Sequence, residues 1–528
     1  MKKYKFLALA IGAVSFATIT NAQTPSPEVM LRLSQYNYSF GTARSAALGG
    51  AFTSLGADLS SMAINPAGLG MYQSSDVSIS PSITTATIKS AYGGYHAEDN
   101  KTQFSIGNLG VALNVYQGSG TLTSMTFGFS YNKLADFNNT SFAYNNGIGS
   151  SITEIFAERM NGVPVSIFDT DDPYQPFRQN LSISQWGGGL AYQTRLLEAI
   201  NSNQYSPFGP TADNPDRKGA LSELATMNPA MRRIMSGSIG EYDFSGGFNF
   251  NNILYLGFTV GLQTIHMHNE NNYTETYNNN EYNLISMNYI QRQRLDGTGV
   301  NFKFGAILRP TQNLRIGLAV HTPTFISLEE EYIEFMGAEY KNVTPGGLID
   351  SPYALNNYSI NTPTRLLAGI SYSIPKIGLI TFDYERVWYN GMRLRNTGYW
   401  TVEDETKQMV KDMFQAANNF RAGIELTPLP KFYLRAGYAL YGDCTHTDIY
   451  ATSANCPVIK SYENYSAGIG FRFGHAYLDF AYIYTDYKYL GDDLFYYNEP
   501  GMEYPISSGT IDYTQNRHTV TMTLGFRF

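Results

Sequence analysis

From 313 to 322 the chain reads NLRIGLAVHT, with Leu314, Ile316, Leu318 and Val320 on one side of an extended backbone and Arg315, Gly317, Ala319 and His321 on the other. Successive side chains of a strand point to opposite faces, so this lettering writes a strand with one apolar face. It recurs at 300–308, 365–374, 379–385, 419–426, 432–440, 465–473, 477–487 and 517–528. One such segment fits half of a soluble sandwich. Nine of them, mostly near the ~9–11 residues that cross a bilayer, point to an all-β transmembrane barrel. Composition agrees: only 15% of residues are charged, beside 41 Tyr, 31 Phe and 49 Gly. Mean hydropathy is only −0.24, which suits strands that need apolar side chains on one face alone. A net charge of −8 leaves no basic footprint for nucleic acid.

The first 22 residues hold Lys2, Lys3 and Lys5, an apolar run from Phe6 to Ile19, and small residues at Thr20 and Ala22. That order is a secretory signal, with cleavage expected before Gln23. No later run approaches the ~18 apolar residues of a membrane helix. Residues 23–76 precede the strands, and 77–528 form the barrel. Tight connections near 117–121, Asn251-Asn252, 310–313, 375–378, 428–431 and Gly474-His475 alternate with long ones near 91–102, 135–241, 268–282, 335–361, 391–417, 442–460 and 488–514. Outer-membrane barrels alternate periplasmic turns with external loops, so the pattern gives about 14 antiparallel strands with both chain ends in the periplasm. The longest loop, 135–241, has helical lettering at 152–160 and at 220–235, the second interrupted by Pro229. The location implied is the outer membrane of a Gram-negative bacterium, with its lipids and lipopolysaccharide as surroundings.

Phase also sorts the charges. Lys303, Arg315, Arg365, Arg421, Arg435, Arg472 and Arg527 lie opposite the apolar faces, with Asp383, Glu385, Glu425 and Asp479. A lipid-facing Arg at the midplane costs ~2–4 kcal/mol, so these groups belong in the lumen. They read as a pairing network that fills the lumen, or as partners of an anionic ligand group or a plug.

A barrel of this size leaks unless plugged. Before the first strand, ARSAALGGAFTSLGADLSSMAINPAGL has the Ala, Leu and Ser of a short helix with small faces, closed by Pro66. It reads as a helical hatch entering the lumen from the periplasmic end. Here the sequence resembles the FadL-type family of outer-membrane transporters for long-chain fatty acids and other hydrophobic compounds. The resemblance rests on Arg44, on AALGGA with Gly49 and Gly50, on Ala57-Asp58, and on Asn65-Pro66-Ala67-Gly68. Asn228-Pro229-Ala230 repeats part of it in a loop, so position after the Gly-Gly-Ala segment is what makes it specific. The resemblance implies passive uptake of fatty acids or aromatic hydrocarbons, a hatch that shifts when ligand binds, and sideways release through a kinked third strand. In that strand, LTSMTFGFSYNK, Gly128 marks such a kink or else serves packing. Terminal Phe528 resembles the signal read by the barrel-assembly machinery.

Cys444 and Cys456 share one external loop, and in an exported protein they are expected to form a disulfide. His266 and His268 share a strand face without an evident third ligand, which sets a haem or metal reading against ordinary surface residues. No catalytic elbow, P-loop or zinc-protease motif is present. The expectation is a monomeric, cofactor-free transporter, with no catalytic residues; the alternative is a haem-binding or adhesive barrel.

Overall fold

The computed structural model describes residues 26–207, 226–278, 284–341, 347–446, 458–489, 492–497 and 505–528. The expected leader, 1–22, lies outside them. Alternating residues pair into a closed antiparallel barrel of 14 strands. These are β1 (Asp76–Tyr92), β2 (Tyr95–Gln117), β3 (Leu122–Asp136, resumed at Asn139–Tyr144), β4 (Thr226–Phe250), β5 (Leu254–Asn278), β6 (Leu284–Leu308), β7 (Leu314–His321, resumed at Phe325–Tyr340) and β8 (Ala354–Asn361, resumed at Arg365–Ile374). They continue with β9 (Gly378–Trp388, resumed at Arg393–Arg395), β10 (Ala416–Leu429), β11 (Phe432–Tyr441), β12 (Ile459–Phe473), β13 (Ala476–Tyr489) and β14 (Thr510–Arg527). The wall closes where β1 meets β14, with Val77 opposite Phe526. Phe528 N donates to Ser75 O at 3.0 Å beside this seam.

The periplasmic turns fall where the sequence put them. Asn251, Asn252, Lys431 and Gly474 take left-handed φ of 52°, 57°, 66° and 64°, the conformation a tight reversal requires. Above them, Leu256, Phe258, Phe304, Leu318, Phe382, Val520 and Leu524 face outward with 39–57% of their surface exposed. An apolar band of this extent is untenable in water and is the lipid-facing belt of an outer-membrane barrel.

The external side departs from expectation. β4, β5 and β6 have 25 residues each, roughly 80 Å at about 3.3 Å per residue, against a belt about 25 Å tall. The expected loop at 91–102 is a hairpin turning at Gly93-Gly94, and most of 268–282 is strand. The expected helix at 220–235 is corrected too: from Thr226 onward it is β4, with Pro229 opposite Glu275 of β5. Proline breaks a helix ladder, whereas here its carbonyl accepts from Asn145 N at 3.0 Å.

Three short helices precede β1, α1 (Pro27–Arg32), α2 (Ala43–Ala47) and α3 (Ser61–Ile64). Helix α4 (Ile152–Met160) does form where its lettering placed it, started by a reciprocal Ser151/Glu154 capping box. It packs beside α5 (Gln175–Gln179) and α6 (Ile183–Gln193) against the inner faces of the projecting strands. Phe156, Met160, Trp186, Tyr289 and Tyr332 belong to the resulting external core.

Candidate functional site

The segment before β1 sits inside the barrel, as the hatch reading expects. It contains a short helix at Pro27–Arg32, a 3-10 turn at Tyr38–Phe40, further helices at Ala43–Ala47 and Ser61–Ile64, and a 3-10 helix at Pro66–Met71. The residues singled out in it fold it and fasten it. Thr42 Oγ1 donates to Asp58 Oδ1 at 2.8 Å, and Ser60 N donates to the same oxygen at 2.9 Å. Gly49 and Gly50 turn the chain with φ of 67° and 74°. Asn65 Oδ1 accepts from Ala67 N at 3.1 Å, capping the helix that Pro66 begins, while Asn65 Nδ2 donates to Thr53 O at 2.6 Å. Arg44 Nε lies 3.2 Å from Glu425 of the wall. Burial lowers the Arg44 pKa, but Glu425 and Asp58 outweigh it and hold the guanidinium more firmly charged.

The wall is recessed to receive this plug. A Cβ on Gly305 would stand 1.8 Å from Asn65 Oδ1, and one on Gly317 would stand 2.1 Å from Thr53 O. Gly257 lies against Pro66, Gly423 against Leu48, and Gly437 against Gly49. Glycine is what lets two backbones approach this closely. The remaining glycine of the hatch motif, Gly68, faces Ser61 and Leu55 O within the plug. Ala67 is fully buried.

Most of the charges assigned to the lumen by phase meet one another. Arg365 and Arg421 share Glu385, each at 3.2 Å. Arg435 bridges Glu425 at 2.6 Å and Asp479 at 2.7 Å, and Arg472 adds to Asp479 at 3.0 Å. Arg527 lies 3.3 Å from Asp76. Lys303 pairs with Asp243 at 2.9 Å and with Glu241. The plug joins the network: Thr53 N donates to Asp383 at 2.8 Å, and the Arg365 and Arg421 guanidiniums lie over the Tyr36 and Tyr38 rings at 4.3 and 5.2 Å. Arg315 is half-buried, and its Nε meets no acceptor among the described residues. Glu241, Asp243, Tyr36 and Tyr38 were missed from sequence. The first two sit at or beyond the edge of the expected long loop, and the Tyr pair precedes the motif.

The third strand is where the wall changes. Gly128 is not its kink: it pairs in register with Ala112 on one side and Ser245 on the other. A Cβ there would strike Met62 Cε at 2.4 Å, so this glycine makes room for the hatch. The irregularity comes later. The β2–β3 ladder stops at Asn108/Asn132, a bulge follows at Lys133/Ala135, and the strand breaks at Phe137-Asn138. Beyond Asn132, β3 keeps only β4 as a ladder partner, while 95–107 of β2 keep only β1. Phe137 N donates to Gly237 O at 3.0 Å, and Gly237 itself needs φ of 112°. Phe104, 68% exposed, and Ile106 put the unpaired stretch at belt level. Inside it lies the turn Tyr38–Phe40.

The first helix of the plug fills the lumen with an apolar cluster: Val29, Met30, Leu31 and Leu33 pack with Phe137, Ile265, Leu295, Ile360 and Val387. Further out, an open groove is lined by Phe168, Pro173, Tyr192, Leu197 and Ile349. His266 is on the outer face, 2.6 Å from Asp296. Cys444 is buried, and its expected partner Cys456 lies outside the described residues.

No family model and no curated protein matches the sequence. Solved structures match over nearly the whole chain. A mutant of TodX, a monoaromatic hydrocarbon channel from Pseudomonas putida, is 11% identical with a TM-score of 0.51, covering 93% of this chain and 100% of its own. A Pseudomonas aeruginosa FadL homologue is 11% identical at TM-score 0.50, over 93% and 98% of the two chains. The Ralstonia pickettii toluene transporter TbuX is 14% identical at TM-score 0.48, over 93% and 99%. At such identities the likeness is one of fold: a FadL-type barrel with a helical hatch.

Proposed function

We propose that this FadL-type barrel passes hydrophobic compounds, long-chain fatty acids or aromatic hydrocarbons among them, passively from the cell exterior into the outer membrane. The observation that carries the reading is the unpaired stretch between β2 and β3 at belt level, beside the apolar cluster with which the plug fills the lumen. An apolar molecule that takes the place of part of this cluster loses nothing by moving on into lipid, and it avoids both water and the polar lipopolysaccharide layer. Ligand entering the cluster shifts the hatch, and the paired lumen charges keep the rest of the wall rigid. Hydrocarbon passage by the TodX channel fits the same physics. The haem alternative gains nothing from His266, whose ring is engaged by Asp296.

The test is uptake of radiolabelled oleate and toluene by intact Gram-negative cells that lack their own transporter and express this chain. Uptake of either above the empty-vector level is expected. Uptake of neither, with the barrel folded in the outer membrane, contradicts the proposal.

A further inference from the structure

The unpaired stretch between β2 and β3 is bridged, not empty, and the bridge is arranged so that it can come apart. Among the described residues four side-chain contacts cross from β2 above the end of its ladder, the uppermost being the Tyr95 ring against Tyr144 of β3, centroids 5.3 Å apart. Asp99 meets Arg232 at 3.4 Å and Lys101 Nζ donates to Met235 O at 3.1 Å, both on β4. The lowest, beside the exposed Phe104, is Gln103 Nε2 donating to Asp136 Oδ2 of β3.

Asp136 does not depend on that bond. Its carboxylate is paired with Lys133, faces Arg517 of β14 at 3.8 Å, and accepts from Asn138 N at 2.9 Å. Arg517 also donates to Asp136 O at 2.9 Å. A buried carboxylate deprived of its partners is costly, but this one keeps several when Gln103 leaves. The bond across the wall can therefore break without stranding a charge.

Behind it, one turn of the hatch touches both edges. Asn37 N donates to Leu134 O of β3 at 2.8 Å, and Phe40 O lies where a Cβ on Gly107 of β2 would be, 2.3 Å away. The Phe40 ring faces Lys133 Nζ at 5.4 Å and is 4% exposed. Anything leaving the lumen here must part Gln103 from Asp136 and move this turn.

We propose that Gln103 and Asp136 form the latch of a side gate, with Phe40 as its bolt, and that opening this gate limits the rate of release into the membrane. These are positioning residues, and the proposal rests on the transport reading above. Two variants of the full chain test it, with labelled oleate and toluene as probes and uptake normalised to folded barrel. Gln103→Leu removes the donor and leaves the Asp136 cluster intact; because a hydrogen bond to a charged group is lost, the maximal rate is expected to rise about tenfold with the half-saturating concentration unchanged. Gln103→Met removes the same donor at nearly constant volume and is expected to raise the maximal rate to the same extent. An unchanged maximal rate in Gln103→Leu or in Gln103→Met overturns the latch. Absence of uptake by the wild-type chain overturns the transport reading and the latch with it.

Discussion

Buried acids outside the belt are where single residues make this molecule sensitive to pH. Asp492 is 2% exposed and lies 3.3 Å from Arg233 on β4. Burial pushes its carboxyl up to about 6, against the pull of Arg233. The folded chain thus holds this proton more tightly than the unfolded chain, whose Asp titrates near ~3.9. The group's contribution to stability is fully present below about pH 4 and is lost as pH rises through about 6. Hydrogen exchange of 492–497 is expected to slow as pH falls from 7 to 4, after correction for the intrinsic rate, and Asp492→Asn is expected to flatten that dependence. An equal slope in the variant contradicts the assignment. Glu275 is raised by burial as well, but it accepts from Ser151, Tyr273 and Tyr277 and caps the start of α4. At this scale the sequence was legible where phase alone decides: most charges set opposite the apolar faces pair with one another, as Arg435 does with Glu425 and Asp479. It was not legible at Gly128, because whether a strand glycine bends the wall or admits a neighbour depends on what stands opposite, here Met62 from far upstream.

Among the elements, the hatch is held less by its own helices, which are four to six residues long, than by its fit to the wall. Helices this short are not stable alone. Gly305 is the sharpest point of that fit, since a Cβ there would stand 1.8 Å from Asn65 Oδ1. Gly305→Ala must displace the Asn65 cap or the strand, at a cost of about 1–3 kcal/mol. The expected outcome is a lower unfolding temperature in the gel-mobility assay and new protease cleavage in the hatch. Gly120→Ala, in a turn with open space around it, serves as the control. A Gly305→Ala barrel as resistant as the control contradicts the seating. Helix α4 was readable because its cap and apolar face are local. Helix α6 was not, since Gly187-Gly188-Gly189 is poor helix lettering; it stands because those glycines lie flat on Phe156, Met160 and Phe177. The breaks in β7 and β8 were hidden similarly. Each is Thr-Pro-Thr, and Thr side chains supply the bonds the interrupted ladders lack: Phe302 N donates to Thr322 Oγ1 at 3.0 Å and Thr324 N to Thr362 Oγ1 at 2.8 Å.

For the whole molecule, period-two lettering carries the barrel, its strand number and its inside and outside, because the membrane imposes one rule on every strand. It carries little of the external layer, where β4, β5 and β6 outrun the belt and no solvent boundary marks where strand should end. On this reading, residues packed into the lumen close a wide barrel to aqueous solutes. Planar-bilayer conductance tests it most directly, on the wild-type barrel and on the barrel lacking Ala43 to Gly68. A silent wild-type barrel and stepwise ion current after the deletion are the results expected; steady current through the wild-type barrel, or silence from a correctly folded deletion, would contradict it.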